Sequence, residues 1–368
     1  MTTLDDLDTP ALVLDRAKVA ANAARLKAHL ATLGVPLRLH VKTAKCAEVA
    51  TLVLGGEQAP ITVSTLREAE QFFEAGYRDI LYAVGFERHK LARAQALATR
   101  GARLTLLVDS IEAAQGISGF PVLIEIDTDG HRAGVKPGDD AQLRAIAQAL
   151  ERAGCTAAGV LTHAGGSYNS ASTAEIEAIA EQERAGAVAA AQALRHAGFA
   201  APTVSIGSTP TAHFARDLAG ATEVRAGVFV FFDLVMAGID VCRQEDLALS
   251  VLATVIGHRA DKGWILVDAG WMAMSRDRGT ARQRVDQGYG VVCDLDGAPI
   301  EDLIVTEANQ EHGIVARRGG GSPPNLTVGA RLRILPNHAC ATGAQHDRYH
   351  VVEGSRELRA TWPRFGGW

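Results

Sequence analysis

Cysteine is sparse in this sequence. Cys46, Cys155, Cys242, Cys293 and Cys340 are odd in number, scattered, and form no Cys-x-x-Cys pair. That pattern excludes a disulfide framework and reads as free thiols in a reducing cytosol. An excess of one charge is also missing. Lys and Arg total 37 against 42 Asp and Glu, a formal net charge of −5, which argues against nucleic acid as the main partner. No hydrophobic run is long enough for a membrane. The greasiest stretch, residues 226–239, is interrupted by Asp233 and is too short to cross a bilayer. The first residues, Met1-Thr2-Thr3-Leu4-Asp5-Asp6, are acidic and lack an apolar core, so no signal peptide is expected. A cytoplasmic protein with no membrane association follows as the expectation. At 368 residues the chain suits one large barrel plus a smaller module. A core of that size folds without metal or disulfide staples.

What the chain does have is alternation. Apolar runs of strand composition at 37–41, 61–64, 79–84, 103–108, 122–127, 158–162, 203–207 and 223–230 are separated, for the most part, by helix-like stretches. Before the first of these, residues 15–34 read as a helix capped by Asp15 and closed by Gly34, with Val19, Leu26, Leu30 and Leu33 on one stripe. Thr65-x-x-Glu68 and Ser172-x-x-Glu175 fit capping boxes. Eight strand-helix units over roughly 200 residues predict a TIM (β/α)8 barrel, although a doubly wound sheet alternates in the same way. From about residue 247 short strands follow one another without long helices, at 247–258, 263–268, 288–293, 304–306, 331–335 and 349–353. This reads as a C-terminal β domain closing over the barrel. The expected division is therefore a barrel over residues 16–246 and a β domain over 1–15 and 247–368. Gly319-Gly320-Gly321-Ser322-Pro323-Pro324 is a loop by composition.

The chemistry starts at Leu37-Arg38-Leu39-His40-Val41-Lys42. On a strand, Leu37, Leu39 and Val41 share one face and Arg38, His40 and Lys42 the other. In a closed barrel the apolar face meets the helices, so Lys42 looks into the lumen. Partial desolvation there favours the neutral amine that a carbonyl needs for attack. A solvated or salt-bridged lysine is the plainer alternative. Lys42, Ser64, Asp109, Asp127, His163, Ser208 and Arg225 all fall at or near C-terminal strand ends, the rim where barrels place their sites. Gly207-Ser208-Thr209-Pro210-Thr211 and Arg225-Ala226-Gly227-Val228 follow the seventh strand and end the eighth. Barrels often build a phosphate site there from backbone N–H groups and a helix N-terminus. Each segment alone is also an ordinary turn. His338 and Cys340, at i and i+2 on an extended segment, can share one side and offer imidazole and thiolate to Zn²⁺.

The segment His40-Val41-Lys42-Thr43-Ala44-Lys45 resembles the cofactor-lysine segment of the alanine racemase-like, fold-type III pyridoxal-phosphate enzymes. The likeness is to the branch of D-serine dehydratase, D-threo-3-hydroxyaspartate dehydratase and D-threonine aldolase, and is nearest to the second type. It runs from the N-terminus almost to the last residue. The resemblance implies that Lys42, not Lys45, holds the aldehyde of pyridoxal 5'-phosphate. It places the phosphate on Gly207, Ser208, Thr209, Gly227 and Val228. Asp127 to Val135 resembles the Arg-x-Gly-Val element whose arginine, here Arg132, approaches the phenolic oxygen; a loop arginine paired with Asp127 or Asp129 is the alternative. Thr162-His163 resembles the segment whose imidazole packs on the pyridine ring, and either Arg225 or Tyr168 meets the ring nitrogen. Such a partner leaves that nitrogen unprotonated and the ring a weaker electron sink, so the leaving group needs help. His338 and Cys340 resemble the zinc pair of the D-serine dehydratases and supply it, with Mn²⁺ or Mg²⁺ as other occupants of an open site.

The implied function is a metal-dependent dehydratase of a D-configured β-hydroxy amino acid, such as D-threo-3-hydroxyaspartate or D-serine, yielding a keto acid and ammonia. The implied assembly is a homodimer. A D-threonine or 3-hydroxy-D-aspartate aldolase is the nearest alternative, but that branch tends to carry Asp where Cys340 stands. A racemase would leave the His-x-Cys pair without a task. A non-catalytic cofactor-binding regulatory protein is the alternative from another class.

Overall fold

The computed structural model describes residues 2–368. Eight parallel strands close into a barrel. They are β2 (Leu37–His40), β3 (Ile61–Val63), β4 (Asp79–Tyr82), β5 (Arg103–Val108), β6 (Pro121–Ile126), β7 (Thr156–Thr162), β8 (Thr203–Ile206) and β9 (Glu223–Ala226), preceded in the chain by β1 (Ala11–Asp15). Pairing of β2 with β9, Leu37 opposite Val224 and Leu39 opposite Ala226, closes the ring. The (β/α)8 expectation holds. Helices fill the crossovers: α1 (Arg16–Thr32), α2 (Ala47–Leu54), α3 (Leu66–Glu74), α4 (Leu91–Thr99), α5 (Ile111–Gln115), α6 (Asp140–Arg152), α7 (Thr173–His196) and α8 (Thr209–Phe214). Their starts use the expected caps. The Asp15 carboxylate accepts from the Ala17 amide, Thr65 from Glu68 and Ser172 from Glu175. In the last two, the glutamate reaches back one residue before the cap, to Ser64 and Ala171.

Alternation divides the lumen into two halves. Leu81, Leu107, Leu123 and Leu161 form one buried cluster on β4 to β7. Opposite them, β2 and β9 point charge inward, with Ser205 of β8 and Asp79 at the start of β4 as partners. Arg38 pairs with Glu223 at 2.7 Å and with Asp79 at 2.8 Å, Glu223 accepts from Ser205 at 2.5 Å, and Arg225 donates to Ser205 at 2.7 Å and to the Thr162 carbonyl at 2.5 Å. Buried charge survives only when paired and hydrogen-bonded, and this chain of contacts meets that condition.

The remaining strands form a nine-stranded sheet. After α9 (Leu234–Gly238) these are β10 (Leu249–Arg259), β11 (Trp264–Val267), β12 (Gly290–Cys293), β13 (Pro299–Ala308), β14 (Gly313–Arg317), β15 (Arg331–Pro336), β16 (Arg348–Val352) and β17 (Ala360–Pro363), with the short helices α10 (Trp271–Met274) and α11 (Ala339–Gly343) between them. The order is β11-β14-β13-β12-β15-β10-β1-β16-β17, and a further β10–β11 pairing joins the first six into a ring. A bulge between Val255 and Gly257 accompanies that pairing. The N-terminal β1 inserts here, antiparallel to β10 and parallel to β16. By compactness the chain separates into Ala24–Gly227 with Gly367–Trp368, and Met1–Ala23 with Val228–Gly366. Residues 228–246, expected in the barrel, cluster with the sheet. The strand expected to run to residue 230 ends at Ala226, and Val228–Val230 is a 3-10 turn. Val228 to Phe232 are all buried, and apolar composition alone does not separate a buried strand from a buried turn. Among the described residues no helix is long and apolar enough to cross a membrane.

Candidate active site

The C-terminal rim of the barrel gathers the expected residues. Arg38 and His40 face the lumen as their alternation requires. Lys42 does not end a strand, because β2 stops at His40 and the chain turns over residues 41–44, with the Lys45 amide bonded to the Val41 carbonyl at 2.8 Å. Lys42 is exposed, not partly desolvated as expected. Its neighbour Lys45 is committed, pairing at 3.2 Å with the buried Glu68. Lys42 forms no ion pair among the described residues, so of the two amines it is the available one.

Two imidazoles lie close to that ammonium. His163, half-buried, donates Nδ1–H to the Gly207 carbonyl at 3.1 Å. A carbonyl only accepts, so the tautomer is fixed and Nε2 carries the free lone pair. Burial, then the Lys42 charge, pushes its pKa down to about 3. His40 is held well below the ordinary range by burial and the same charge. Both rings are neutral at physiological pH. Tyr168 tilts against His163 with ring centroids 6.1 Å apart.

Arg132 finds neither Asp127 nor Asp129. Residues 127–135 fold back on β6 through the Asp127 amide to the Val135 carbonyl and the Val135 amide to the Glu125 carbonyl. Gly134 makes this possible at φ +124°, since a Cβ there would sit 2.6 Å from the Asp127 nitrogen. Arg132 thereby reaches the Glu125 carboxylate at 3.3 Å. Burial raises the Glu125 pKa.

The segments assigned to phosphate differ in part from expectation. The Gly207 amide is already bonded to Glu183 at 3.1 Å and the Ser208 amide to the Thr211 hydroxyl at 2.9 Å. Neither is free for an anion. Gly207 instead permits close packing: it sits at φ +120°, and a Cβ would lie 2.5 Å from the Arg225 carbonyl. Gly227 does likewise on β9, where a Cβ would meet the His40 carbonyl at 2.9 Å. Both glycines therefore let neighbouring backbone approach closely, Gly207 that of β9 and Gly227 the end of β2. Thr209 opens α8 and Val228 begins the turn after Gly227; both are buried. Arg225 is buried, and burial lowers its pKa to about 10, so it stays cationic.

In the sheet unit His338 and Cys340 come together by a route other than an extended segment. His338 is the extended residue before α11 and Cys340 lies in that helix, with the two side chains in hydrogen-bonding contact. Asn337 anchors the approach, accepting from Thr280 Oγ1 at 2.5 Å and donating to the Gly288 carbonyl at 2.7 Å. Asp233, the residue that interrupts the greasy run, accepts from the Ala339 amide at 3.0 Å. His338 Nδ1 bonds to Asp277 at 2.6 Å, which leaves Nε2 as the nitrogen available to a cation. Burial alone would depress this imidazole, but the bonds to Asp277 and Cys340 raise it to about 11, and the same bond lowers Asp277. Imidazole and thiol are donors that suit a divalent transition metal. Among the described residues no third His, Cys, Asp or Glu joins them as a ligand cluster. Sequence reasoning missed Asp277. Of its flanking arginines, Arg276 stacks on Trp271 and Arg278 pairs with Asp286.

Comparison with known proteins gives this arrangement its family. Residues 14–235 match the alanine racemase N-terminal domain and residues 248–352 a putative serine dehydratase domain. The D-threo-3-hydroxyaspartate dehydratase of Delftia sp. (strain HT23) is 55% identical over 100% of this chain and 99% of its own. The chain belongs to the alanine racemase-like, fold-type III family, in its D-serine dehydratase branch. In that family, the D-serine dehydratase of Dictyostelium discoideum is 28% identical over 96% of each chain. The D-threonine aldolase of an Arthrobacter species is 32% identical over 94% of this chain and 89% of its own. The solved Delftia dehydratase superposes with a TM-score of 0.97 at 54% identity, covering 100% of both chains. Solved variants of it include one with a histidine replaced by alanine and a metal-free one with a cysteine, two positions further on, replaced by alanine.

Proposed function

We propose that this chain is a pyridoxal-phosphate and divalent-metal-dependent dehydratase of D-configured β-hydroxy amino acids, with D-threo-3-hydroxyaspartate as the first substrate to test. The single observation that carries the reading is whole-length 55% identity to an enzyme of that name, joined to a His-x-Cys pair with the spacing of the histidine and cysteine replaced in the solved variants. When bound, the cofactor supplies an aldehyde for the substrate amine and a ring to take the electron pair from Cα, while the cation polarises the β-oxygen as a Lewis acid.

The chain's own residues do the rest. Lys42 Nζ would hold the cofactor's aldehyde and, as a free amine, would serve as the base at the α-position. His163, neutral and fixed by Gly207, packs on the ring without adding charge. Arg132, steadied by Glu125, faces the phenolic oxygen. Gly207, Ser208, Thr209, Gly227 and Val228 would shape the phosphate end. Arg225 has two guanidinium nitrogens bound within the barrel, which supports Tyr168 as the partner of the ring nitrogen. His338 and Cys340 hold the cation, and their imidazole and thiol favour Zn²⁺ over Mn²⁺ or Mg²⁺. The reading extends to a homodimer working in the cytoplasm.

The experiment is a panel of D-serine, D-threonine and both D-3-hydroxyaspartate diastereomers, with and without chelator, with products read by mass. Oxaloacetate and ammonia from the threo diastereomer, lost on chelation, are expected. Glycine with an aldehyde would replace the reading by retro-aldol cleavage. Bound cofactor with no turnover would favour a regulatory protein.

A further inference from the structure

The longest barrel helix, α7, buries a carboxylate. Ile176, Ala180, Ala187, Ala190, Ala191 and Leu194 form its covered stripe, and Glu183 sits in the same stripe at 1% exposure. Its Oε1 accepts from the Ala164 amide at 2.8 Å and the Gly207 amide at 3.1 Å, and its Oε2 from the Thr211 hydroxyl at 2.7 Å. One side chain therefore ties the loop after β7, which carries His163 and Tyr168, to the loop after β8, which carries Ser208 and Thr209. A second tie runs beside it, Ser167 Oγ to Ser208 Oγ at 2.9 Å.

The hydroxyl protons follow from the carboxylate. Thr211 donates its proton to Glu183, and its oxygen is left to accept from the Ser208 amide at 2.9 Å. That bond turns the start of α8 and fixes which backbone groups the loop presents. The arrangement is not a generic helix cap, because its anchor lies on another element and binds both loops at once.

We infer that Glu183 is a positioning residue for the phosphate end of the cofactor, an inference that rests on the function proposed above. It acts through the two loops and touches neither cofactor nor substrate. Glutamine can reproduce the framework. Its oxygen keeps both amide bonds, its NH₂ donates to Thr211, and Thr211 turns its proton toward Ser208 Oγ, 2.9 Å away. Alanine reproduces none of it.

The test measures binding of pyridoxal 5'-phosphate and of pyridoxal, which lacks the phosphate, to wild type, Glu183→Gln and Glu183→Ala at a temperature where thermal melts show all three folded. Loss of hydrogen bonds to a buried carboxylate predicts a roughly 10- to 100-fold weaker affinity of Glu183→Ala for the phosphate ester. Pyridoxal affinity should change little, and Glu183→Gln should recover most of the loss. Equal weakening toward both probes, or no rescue by glutamine, would overturn the assignment. So would unchanged affinity in Glu183→Ala. If Glu183→Ala is unfolded, the same comparison on Thr211→Val, which removes one of the three bonds, decides the matter with the same selectivity for the phosphate ester. A wild type that binds neither probe would instead defeat the proposed function itself.

Discussion

The neutral state of His163 has a measurable consequence. Its folded pKa is about 3, against about 6.5 for an unfolded histidine. Between these values the unfolded chain binds a proton that the folded chain refuses, so stability falls as pH falls. The loss begins near the unfolded value, deepens with each pH unit, and levels off only below the folded one. At pH 5 the gap is about 1.5 units, which at about 1.36 kcal/mol per unit costs at most about 2 kcal/mol. His163→Asn keeps a donor for the Gly207 carbonyl and removes the titration. Other depressed groups, such as His213, lowered to about 4 by burial, remain in both proteins and cancel in the difference. The assay is denaturant unfolding of the cofactor-stripped pair at pH 7.5 and 5, followed by helical ellipticity. Tryptophan fluorescence is the wrong probe, since Trp264, Trp271 and Trp362 belong to the sheet unit and the fourth, Trp368, is exposed at the chain end. Wild type should lose about 2 kcal/mol relative to the variant on acidification. Parallel losses in the two proteins would refute the reasoning.

Lys42→Ala should abolish the visible absorbance of lysine-held cofactor and leave the melting curve nearly unchanged. Lys45→Ala should do the reverse, because stripping the partner of the buried Glu68 costs about 3 kcal/mol or more. Asp277→Ala removes the acceptor that orients His338 and should weaken metal binding roughly 10- to 100-fold in a titration of chelator-stripped protein. Gly134→Ala must move the strand end it now touches, so it should destabilise by more than about 1 kcal/mol; an unchanged melt with cofactor affinity intact would count against the fold-back as the device that places Arg132.

Period and punctuation made the barrel legible. Most barrel strands are short apolar runs with a polar residue at or near the C-terminal end, and the pattern survives burial on both sides. The sheet was less so. β14, of five residues, lies just past the Asn309–His312 turn and was not read as a strand, and β17 alternates half-buried with exposed residues and ends in Pro363, so its pattern is that of an edge. The site was legible wherever a motif is contiguous, as at His40 to Lys45. It was illegible wherever contact spans the chain. His338 meets Asp277 at a separation of 61 residues, and no local pattern announces that. Glu183 did leave a sign, a charged residue at the i+7 position of an otherwise apolar stripe, and so did Asp233 within the greasy run. In each case the buried carboxylate serves backbone amides rather than a charge partner.

The same bookkeeping explains why the charged face of β2 could be placed indoors at all. Arg38 and His40 on one face would suit solvent equally well, and only the partners decide. Glu223, the first residue of β9, reaches Arg38 because the barrel closes β2 onto β9, and Asp79, the first residue of β4, reaches it from the other side across β3. That closure also stacks Arg225 above Glu223, so the lumen carries guanidinium charge below the two imidazoles and the Lys42 ammonium beside them. A proton on either ring would be one more positive charge in a confined space, disfavoured by burial and by like charge together. Neutral histidines here are therefore a product of barrel closure, and any variant that opens the β2–β9 seam should restore their ordinary basicity along with the loss of the site.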